Sequence, residues 1–534
     1  MRNWRVNLVF IFFLLFSAAI VGRLIFIQIL QTDFYKALSQ GLQNFPSQIL
    51  PERGEIFLVN GEPLAKNKNF SLVFAVPPKV IDSEKTAETL SEILHLDKKF
   101  ILEKLKVDSL YSFYSLIKNK LTQEEAELIK NSKLAGIYLD EERLRYYPQE
   151  TLASQVIGFL DKNNQGQYGL EEYYDEILKG ESKGRDLFLT IDYNIQFRAE
   201  KLLERAKENL DIEGGQIIVI DPNSGRIIAF SHFPNFNPNS YQEYALEGLG
   251  IFKNRITQDF FEPGSVFKPI TFAAALNEEK ITPQTTYIDK GQVKIDGWPK
   301  PIYNYDERVH GEQTMTNVLE KSINTGAVFV EKLLPHHIFL NYIEKFGIFE
   351  RTGIDLRESF SENKEFKQGY EINFATASFG QGIEMTAIQL ARAYCAIANG
   401  GKLITPYLVV EKESKISEPI ISSKTSSQLT AMLVSVVENG FAKRAKIPGY
   451  YIAGKTGTAQ ISFSALGINK KGYSEKTWQT FVGFFPAFSP QFLILVKLDK
   501  PKTKTAEYSA VPIFHDLAEY IIHYYQIPPD YELD

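Results

Sequence analysis

The chain has almost no cysteine. Its single thiol, Cys395, excludes an intramolecular disulfide framework and a multi-cysteine metal centre. With Ala393, Tyr394, Ala396 and Ile397 as neighbours, that thiol is expected to be a buried structural residue. Basic charge is not in excess either: 59 Lys and Arg stand against 65 Asp and Glu, a net charge of −6, so no cationic excess argues for a nucleic-acid partner. No internal repeat and no low-complexity tract is present, which sets aside solenoids and disordered tails. Long apolar runs are missing outside the N-terminus. What remains is 534 residues at 44% apolar and 23% charged, enough for two or three domains with real cores.

The first thirty residues bear on the compartment. Arg2 and Arg5 precede an apolar run from Leu8 to Val21, followed by Gly22, Arg23 and a second apolar stretch, Leu24 to Ile27. A helix over residues 8–30, at about 1.5 Å per residue, crosses a hydrocarbon core of ~30 Å. Arg23 sits toward its far end, where the side chain can reach the interface. Ser17-Ala18-Ala19 resembles a signal-cleavage site, but the chain stays apolar beyond it, so an uncleaved anchor is expected. Positive charge ahead of the span, against only Lys36 soon after it, places residues 1–7 in the cytoplasm and the remainder outside. Ala18 and Gly22 share a helix face on which another membrane helix would pack closely, although small residues are common in such spans without that role.

Residues 31–190 read as a mixed N-terminal domain with no cluster of catalytic residue types. Helical periodicity is clear over Glu84–Leu94, with Leu90, Ile93 and Leu94 on one stripe, and over Gln123–Ile129. A short strand at Leu187–Asp192 leads into an amphipathic helix, Tyr193–Asn209, that turns Ile195, Leu202 and Leu203 inward. Residues 191–534 form the second domain, which begins its sheet with a hairpin: Gln216–Ile220, a turn through Asp221 to Gly225, then Arg226–Phe230. After a helix-rich block, strands resume at Thr480–Phe485 and Phe492–Val496. Strands, helices and strands again describe an α+β domain.

Three short patterns carry chemistry, in this order: Ser265-Val-Phe-Lys268, Ser322-Ile-Asn324 and Lys455-Thr456-Gly457-Thr458. Each alone is weak. Ser-x-x-Lys recurs at Ser115–Lys118 and Ser361–Lys364, and Ser-x-Asn at Ser361–Asn363. Context separates them. Glu262-Pro263-Gly264 breaks the chain and Phe267–Leu276 reads as a buried helix, so Ser265 falls at a helix start with Lys268 one turn on. Free N–H groups there favour a developing alkoxide, and a lysine lowered by burial and neighbouring cations can take the hydroxyl proton. Pro269 has no N–H, so the first turn is expected to be irregular. Ser322 and Asn324 lie between a helix ending near Lys321 and one starting near Thr325. For Ser265, Ser322 and Asn324 the competing role is helix capping, which their residue types favour. Lys455–Thr458 follows a strand expected at Tyr450–Ala453, and Gly457 lets another backbone approach closely.

Two other matches carry no function. Gly449-(x)4-Gly454-Lys455-Thr456 satisfies the phosphate-loop pattern, but the residues between read as strand and no helix starts after the lysine. Gly180-Glu-Ser182-Lys-Gly184 imitates a nucleophile elbow, yet it follows a helix over Leu170–Leu178 where a strand is needed.

Together the three patterns resemble the motifs of penicillin-binding proteins and serine β-lactamases. Arg53-Gly54-Glu55-Ile56, Asn60-Gly61, Leu64-Ala65, Tyr147-Pro148, Gly158-Phe159 and Gly169-Leu170-Glu171 resemble the pedestal of class B, monofunctional penicillin-binding proteins. Phe379–Gly382 and Phe481–Phe484 resemble further landmarks of the transpeptidase domain. The likeness runs from the anchor to Pro512, with one departure: Leu58 and Val59 stand where the family usually carries Asp-Arg. It implies an antiparallel sheet packed with helices, on an elongated dimerisation-type pedestal. The implied activity is peptidoglycan D,D-transpeptidation through a Ser265 acyl-enzyme. Lys268 would be the base, Ser322 a proton relay, and Asn324 would hold Lys268 or the substrate amide. Lys455, Thr456, Gly457 and Thr458 would bind the terminal carboxylate, and the backbone N–H groups of Ser265 and Thr458 would form the oxyanion hole. No metal or organic cofactor is implied.

The implied partners are stem peptides ending in D-Ala-D-Ala, β-lactams, the bilayer, and an FtsW-type glycan polymerase with other division proteins. Lys471–Phe481 and Pro486-Ala487 resemble the division-specific FtsI type more than the elongation branch. The alternatives are an elongation-type transpeptidase, a D,D-carboxypeptidase or a β-lactamase; the pedestal and anchor argue against the last. A β-lactam sensor would need a signalling domain inside the cell, where about seven residues precede the span.

Overall fold

A computed structural model of the chain describes residues 4–26, 52–106, 114–181, 183–246 and 248–532. Arg2, residues 27–30 of the expected span, the start of the expected N-terminal domain with Lys36, and Ser182 lie outside the described residues. Trp4–Ile25 is one helix, and its Leu8–Ile25 portion is long and apolar enough to cross a membrane. Arg23 falls in its last turn.

The rest divides by contact into two compact units. The smaller includes Asn67–Tyr146. Helices Ser83–Leu94 and Lys98–Leu105 start at Asp82 and Asp97, whose carboxylates accept from Lys85 and Lys99 N–H. Thr122 and Glu125 form a capping box for Gln123–Ser132. Leu90, Leu94, Ile101, Leu105 and Ile129 bury their side chains together with Val73 and Ile117 from the adjoining strands. Ser115 and Lys118 lie on the strand Ser115–Leu121 and not on a helical turn, and the lysine is bonded to Glu125 at 2.7 Å.

The larger unit takes Gly54–Lys66, Tyr147–Gly180 and Gly184–Asp534. Compactness therefore divides the chain differently from chain order at residue 190. The reason is the core: Ile56, Leu58, Leu64, Leu170, Leu178 and Leu187 are buried in the same cluster as the large sheet. Of the departing pair, Leu58 is completely buried and Val59 is exposed, while Asn60-Gly61 turns the chain with Gly61 N–H donating to Leu58 O.

Its sheet has five antiparallel strands in the order Ala453–Ser462, Tyr473–Phe485, Phe492–Asp499, Gly214–Ile220, Ile227–Phe233. The hairpin turn between the last two is set by Asp221, whose side chain accepts from Asn223 N–H, and by Gly225 at φ +83°. Phe514 of helix Ala510–Tyr525 meets Phe481 edge-on, with ring centroids 4.7 Å apart. Asp192 caps helix Tyr193–Leu210, which buries Ile195, Leu202 and Leu203 as its periodicity predicts. Helix Ala387–Ala398 is buried on every side, including Cys395, whose thiol burial pushes well above its usual pKa. The α+β architecture stands. It leaves the strand Ala453–Ser462 at one edge of the sheet.

Candidate active site

Gly264–Phe267 is a 3-10 turn that runs into the buried helix Lys268–Asn277. Lys268 N–H donates to Ser265 O, and Pro269, with no N–H, sits in the first helical turn; this is the expected irregularity. Neither the 3-10 turn nor the helix has a side-chain cap, so Ser265 is not spent on capping. Two contacts hold the turn. Gly264 N–H donates to Gly380 O at 3.0 Å, and Tyr394 Oη donates to Val266 O at 2.7 Å. Gly264 and Gly380 both adopt positive φ, and a Cβ on Gly380 would lie 2.2 Å from Gly264 O. The Phe379–Gly382 segment thus backs directly onto the serine turn.

Ser322 occupies the left-handed region at φ +53° between helices Met315–Glu320 and Asn324–Lys332. That conformation is costly for a residue with a Cβ. The second helix has no side-chain cap from Ile323, so here too the polar pair is not used for capping its own helix. Both side chains face Lys268 instead. The Lys268 ammonium donates to Ser322 O at 2.6 Å, Ser322 Oγ at 3.2 Å and Asn324 Oδ1 at 2.9 Å.

Lys455 lies on the edge strand itself. The strand expected at Tyr450–Ala453 in fact begins at Ala453 and carries the whole Lys455–Thr458 motif. The β-propensity of Tyr450 and Tyr451 yields to tertiary contacts: Tyr451 N–H donates to Asp530 Oδ2, and Asp530 N–H returns to Gly449 O. Lys455 Nζ donates to Ser322 Oγ at 3.0 Å and to Thr456 O at 3.1 Å. Gly457 runs against the serine turn: a Cβ there would lie 2.8 Å from Pro263 O and 3.0 Å from Val266 Cγ1. Thr458 Oγ1 accepts from Ala506 N–H at 3.1 Å, which leaves its hydrogen free to donate.

Two fully buried lysines thus converge on one hydroxyl, and neither has a carboxylate partner among the described residues. Burial pushes the Lys455 amine down to about 7. Burial, then the Lys455 charge, pushes Lys268 well below the usual lysine value. Ser322 Oγ can accept from one amine while donating to the other once that one is neutral, which is the geometry of a proton relay. A cavity of about 600 Å³ opens over this group and is lined by Ser265, Ser322, Asn324, Thr456 and Thr458. A larger one, about 760 Å³, lies beside Arg255 and Lys497; many of its charges are spent on one another, as in Lys253–Asp259, Lys500–Glu213 and Lys497–Asp499.

The structure brings Ser265, Ser322, Asn324, Thr456 and Thr458 to one cavity, with Lys268 and Lys455 buried and bonded to Ser322. The remaining matches stay apart: Ser361 and Lys364 lie outside any helix, and Gly449 and Gly454 precede a strand residue, not a phosphate-binding helix. Sequence reading missed Tyr303, Asn304 and Asp289, which support Asn324 from segments upstream. It also missed Glu262, whose carboxyl burial raises to about 7 while Gly382 N–H and Tyr473 Oη donate to it. No spacing rule connects these residues; only folding does.

The description "penicillin binding protein transpeptidase domain" fits residues 215–519, and "penicillin-binding protein dimerisation domain" fits residues 48–195. Stage V sporulation protein D of Bacillus subtilis is 34% identical over 86% of this chain and 76% of its own length. A peptidoglycan D,D-transpeptidase FtsI homolog of Mesostigma viride is 30% identical over 98% of this chain and 96% of its own. Penicillin binding protein 2X from Streptococcus thermophilus superposes with a TM-score of 0.71 over 89% of this chain and 79% of that one; at 21% identity this shows the fold. The chain belongs to the class B penicillin-binding proteins, with a dimerisation-type domain followed by a serine acyl-transferase domain of the transpeptidase fold.

Proposed function

We propose that this protein cross-links peptidoglycan stem peptides as a D,D-transpeptidase, with Ser265 as the acylated nucleophile. The observation that carries the assignment of roles is the convergence of the Lys268 and Lys455 amines on Ser322 Oγ, between the Ser265 turn and an edge strand. Neutral Lys268 takes the Ser265 proton as Oγ attacks the penultimate D-Ala carbonyl. The N–H groups of Ser265 and Thr458 hold the oxyanion, a contribution of about 10²–10³ in rate per donor. Ser322 passes a proton to the departing D-Ala amine, and the C–N bond breaks to leave the ester. An amine from a neighbouring stem then attacks the ester carbonyl; the C–O bond to Ser265 breaks, and the amine's proton passes through Lys268 to Ser265 Oγ, restoring the hydroxyl. Charged Lys455, with Thr456 and Thr458, binds the terminal carboxylate, and Gly457 keeps that strand against the nucleophile.

The acylation rate follows from these charges. Lys268 is pushed down by burial and then by the Lys455 charge, so the pair gives up its first proton there. The apparent second-order rate constant for penicillin acylation is expected to rise with pH as that proton leaves. It falls again as Lys455 neutralises, from about 7 upward. Stopped-flow acylation between about pH 5 and about pH 9 checks this; a flat profile contradicts the assignment of the two amines. Gly457→Val is expected to lower the same constant by about a hundredfold or more, because its side chain would push the strand off Pro263 and Val266. A variant within about threefold of wild type would show that the close approach is not needed.

The anchor Leu8–Ile25, with its N-terminus in the cytoplasm, would hold the catalytic unit outside the membrane, where these peptides are. Residues 31–190 would serve as the pedestal. The Lys471–Phe481 stretch favours a division role beside an FtsW-type glycan polymerase. A fluorescent fusion that collects at the division septum supports that role, and even labelling of the side wall overturns it.

A further inference from the structure

Asp289 belongs to none of the three motifs, yet it is 1% exposed and all its acceptor capacity is used. Oδ1 accepts from Gly291 N–H at 3.0 Å and Thr325 Oγ1 at 2.6 Å; Oδ2 accepts from Asn304 Nδ2 at 2.9 Å and His310 N–H at 2.8 Å. These donors outweigh the burial, and the carboxyl is held below its usual range. No cation pairs with it among the described residues. Tyr287 Oη lies 3.1 Å from Thr325 Oγ1, and the His310 ring faces Asp306 at 3.3 Å.

Gly291 belongs to Asp289's own turn, and the other three donors come from two places. Asn304 and His310 belong to the segment that walls the cavity, and Thr325 directly follows Asn324. The two places are also stitched to each other. Thr325 N–H donates to Asn304 Oδ1 at 3.2 Å, and Asn324 Nδ2 donates to Tyr303 O at 3.2 Å. Asn304 thereby supplies, from another segment, a partner for an N–H in the uncapped first turn of helix Asn324–Lys332. The Tyr303 carbonyl fixes which way the Asn324 amide points. With Nδ2 committed there, Oδ1 must face Lys268, as it does at 2.9 Å.

We propose that Asp289 is a positioning residue for acylation: by clamping Asn304 and Thr325 together it fixes the turn that aims Asn324 Oδ1 at Lys268. The proposal rests on the reading that Ser265 and Lys268 carry out acylation. Asp289 touches neither amine nor substrate and acts only through that turn. An asparagine there has the same shape but two acceptor sites, and its NH2 would confront two of the four donors. The wall and the turn would then part, and Asn324 would no longer hold the amine. Loss of an acceptor disfavours the ammonium, so Lys268 would shed its proton at lower pH; Lys455 is the charged group facing it.

The test uses the full chain in detergent with a fluorescent penicillin, and compares wild type, Asp289→Asn and Thr325→Val. Acylation is scored per titratable site, so that misfolded protein does not count. Asp289→Asn is expected to acylate about ten- to a hundredfold more slowly per site, with the acidic limb of its pH profile moved to lower pH. Thr325→Val, which removes one donor and keeps its shape, is expected to move both in the same direction by less. Wild type that takes no label would overturn the underlying assignment. Labelled wild type with both variants within about twofold of it, limbs unmoved, overturns this inference alone. A lower titratable fraction with an unchanged rate per site does the same, because it means a purely structural role. If Asp289→Asn does not fold, Thr325→Val decides by the same two readouts.

Discussion

Ser265→Ala abolishes covalent attachment of penicillin while the protein stays folded. Wild type in detergent takes up one equivalent of a fluorescent penicillin, visible on a denaturing gel and as a single mass increment; the variant takes up none. The substitution costs little, because Ser265 caps neither its turn nor the following helix and faces the cavity. A stability change within about 0.5 kcal/mol is expected from thermal unfolding. The pairing of the two results matters: lost labelling in an unfolded protein says nothing about the nucleophile. Persistent labelling of folded Ser265→Ala would move the acylated residue elsewhere.

Lys268→Met slows acylation by about 10²–10⁴-fold, the range for removal of a general base. Methionine is unbranched and close in volume, so little packing is lost in a site that is fully buried. The electrostatic effects oppose each other. Ser322 O and Asn324 Oδ1 lose their donor, at about 1–3 kcal/mol for each left dry. Removing a buried amine that has no carboxylate partner among the described residues offsets part of that loss. The variant therefore remains folded and titratable, and its defect lies in rate. Slowing by less than about tenfold, measured per titratable site, would show that another group takes the proton.

The turn that carries Ser265 and Lys268 was legible because its rules are local. Ser265 and Lys268 are three apart around one helical turn, and Pro263 and Gly264 mark where that turn begins. The hairpin Gly214–Phe233 is written in β-branched residues around an Asp-Pro-Asn-Ser-Gly turn. Convergence of Ser322 with Lys455 was legible only as order along the chain; the distance of 3.0 Å between them follows from folding residues 133 positions apart together. Local rules failed where tertiary contacts decide. Tyr450 and Tyr451 look like strand but answer to Asp530, and the strand starts at Ala453. Capping propensity assigned Ser322 and Asn324 a role that neither plays for its own helix, because a buried amine competes for the same oxygens. Asp289 and Asn304 carry no spacing signature, since a buried carboxylate with four donors is defined by the groups folded around it.

Peptide cross-linking by the full chain in detergent tests the central claim most directly. The donor is a stem peptide ending in D-Ala-D-Ala, and the acceptor is a second stem bearing a free side-chain amine. Mass spectrometry should find the cross-linked dimer and one released D-Ala per bond formed, with both absent for Ser265→Ala. Release of D-Ala with only the trimmed donor, at saturating acceptor, would contradict the account and make this a carboxypeptidase.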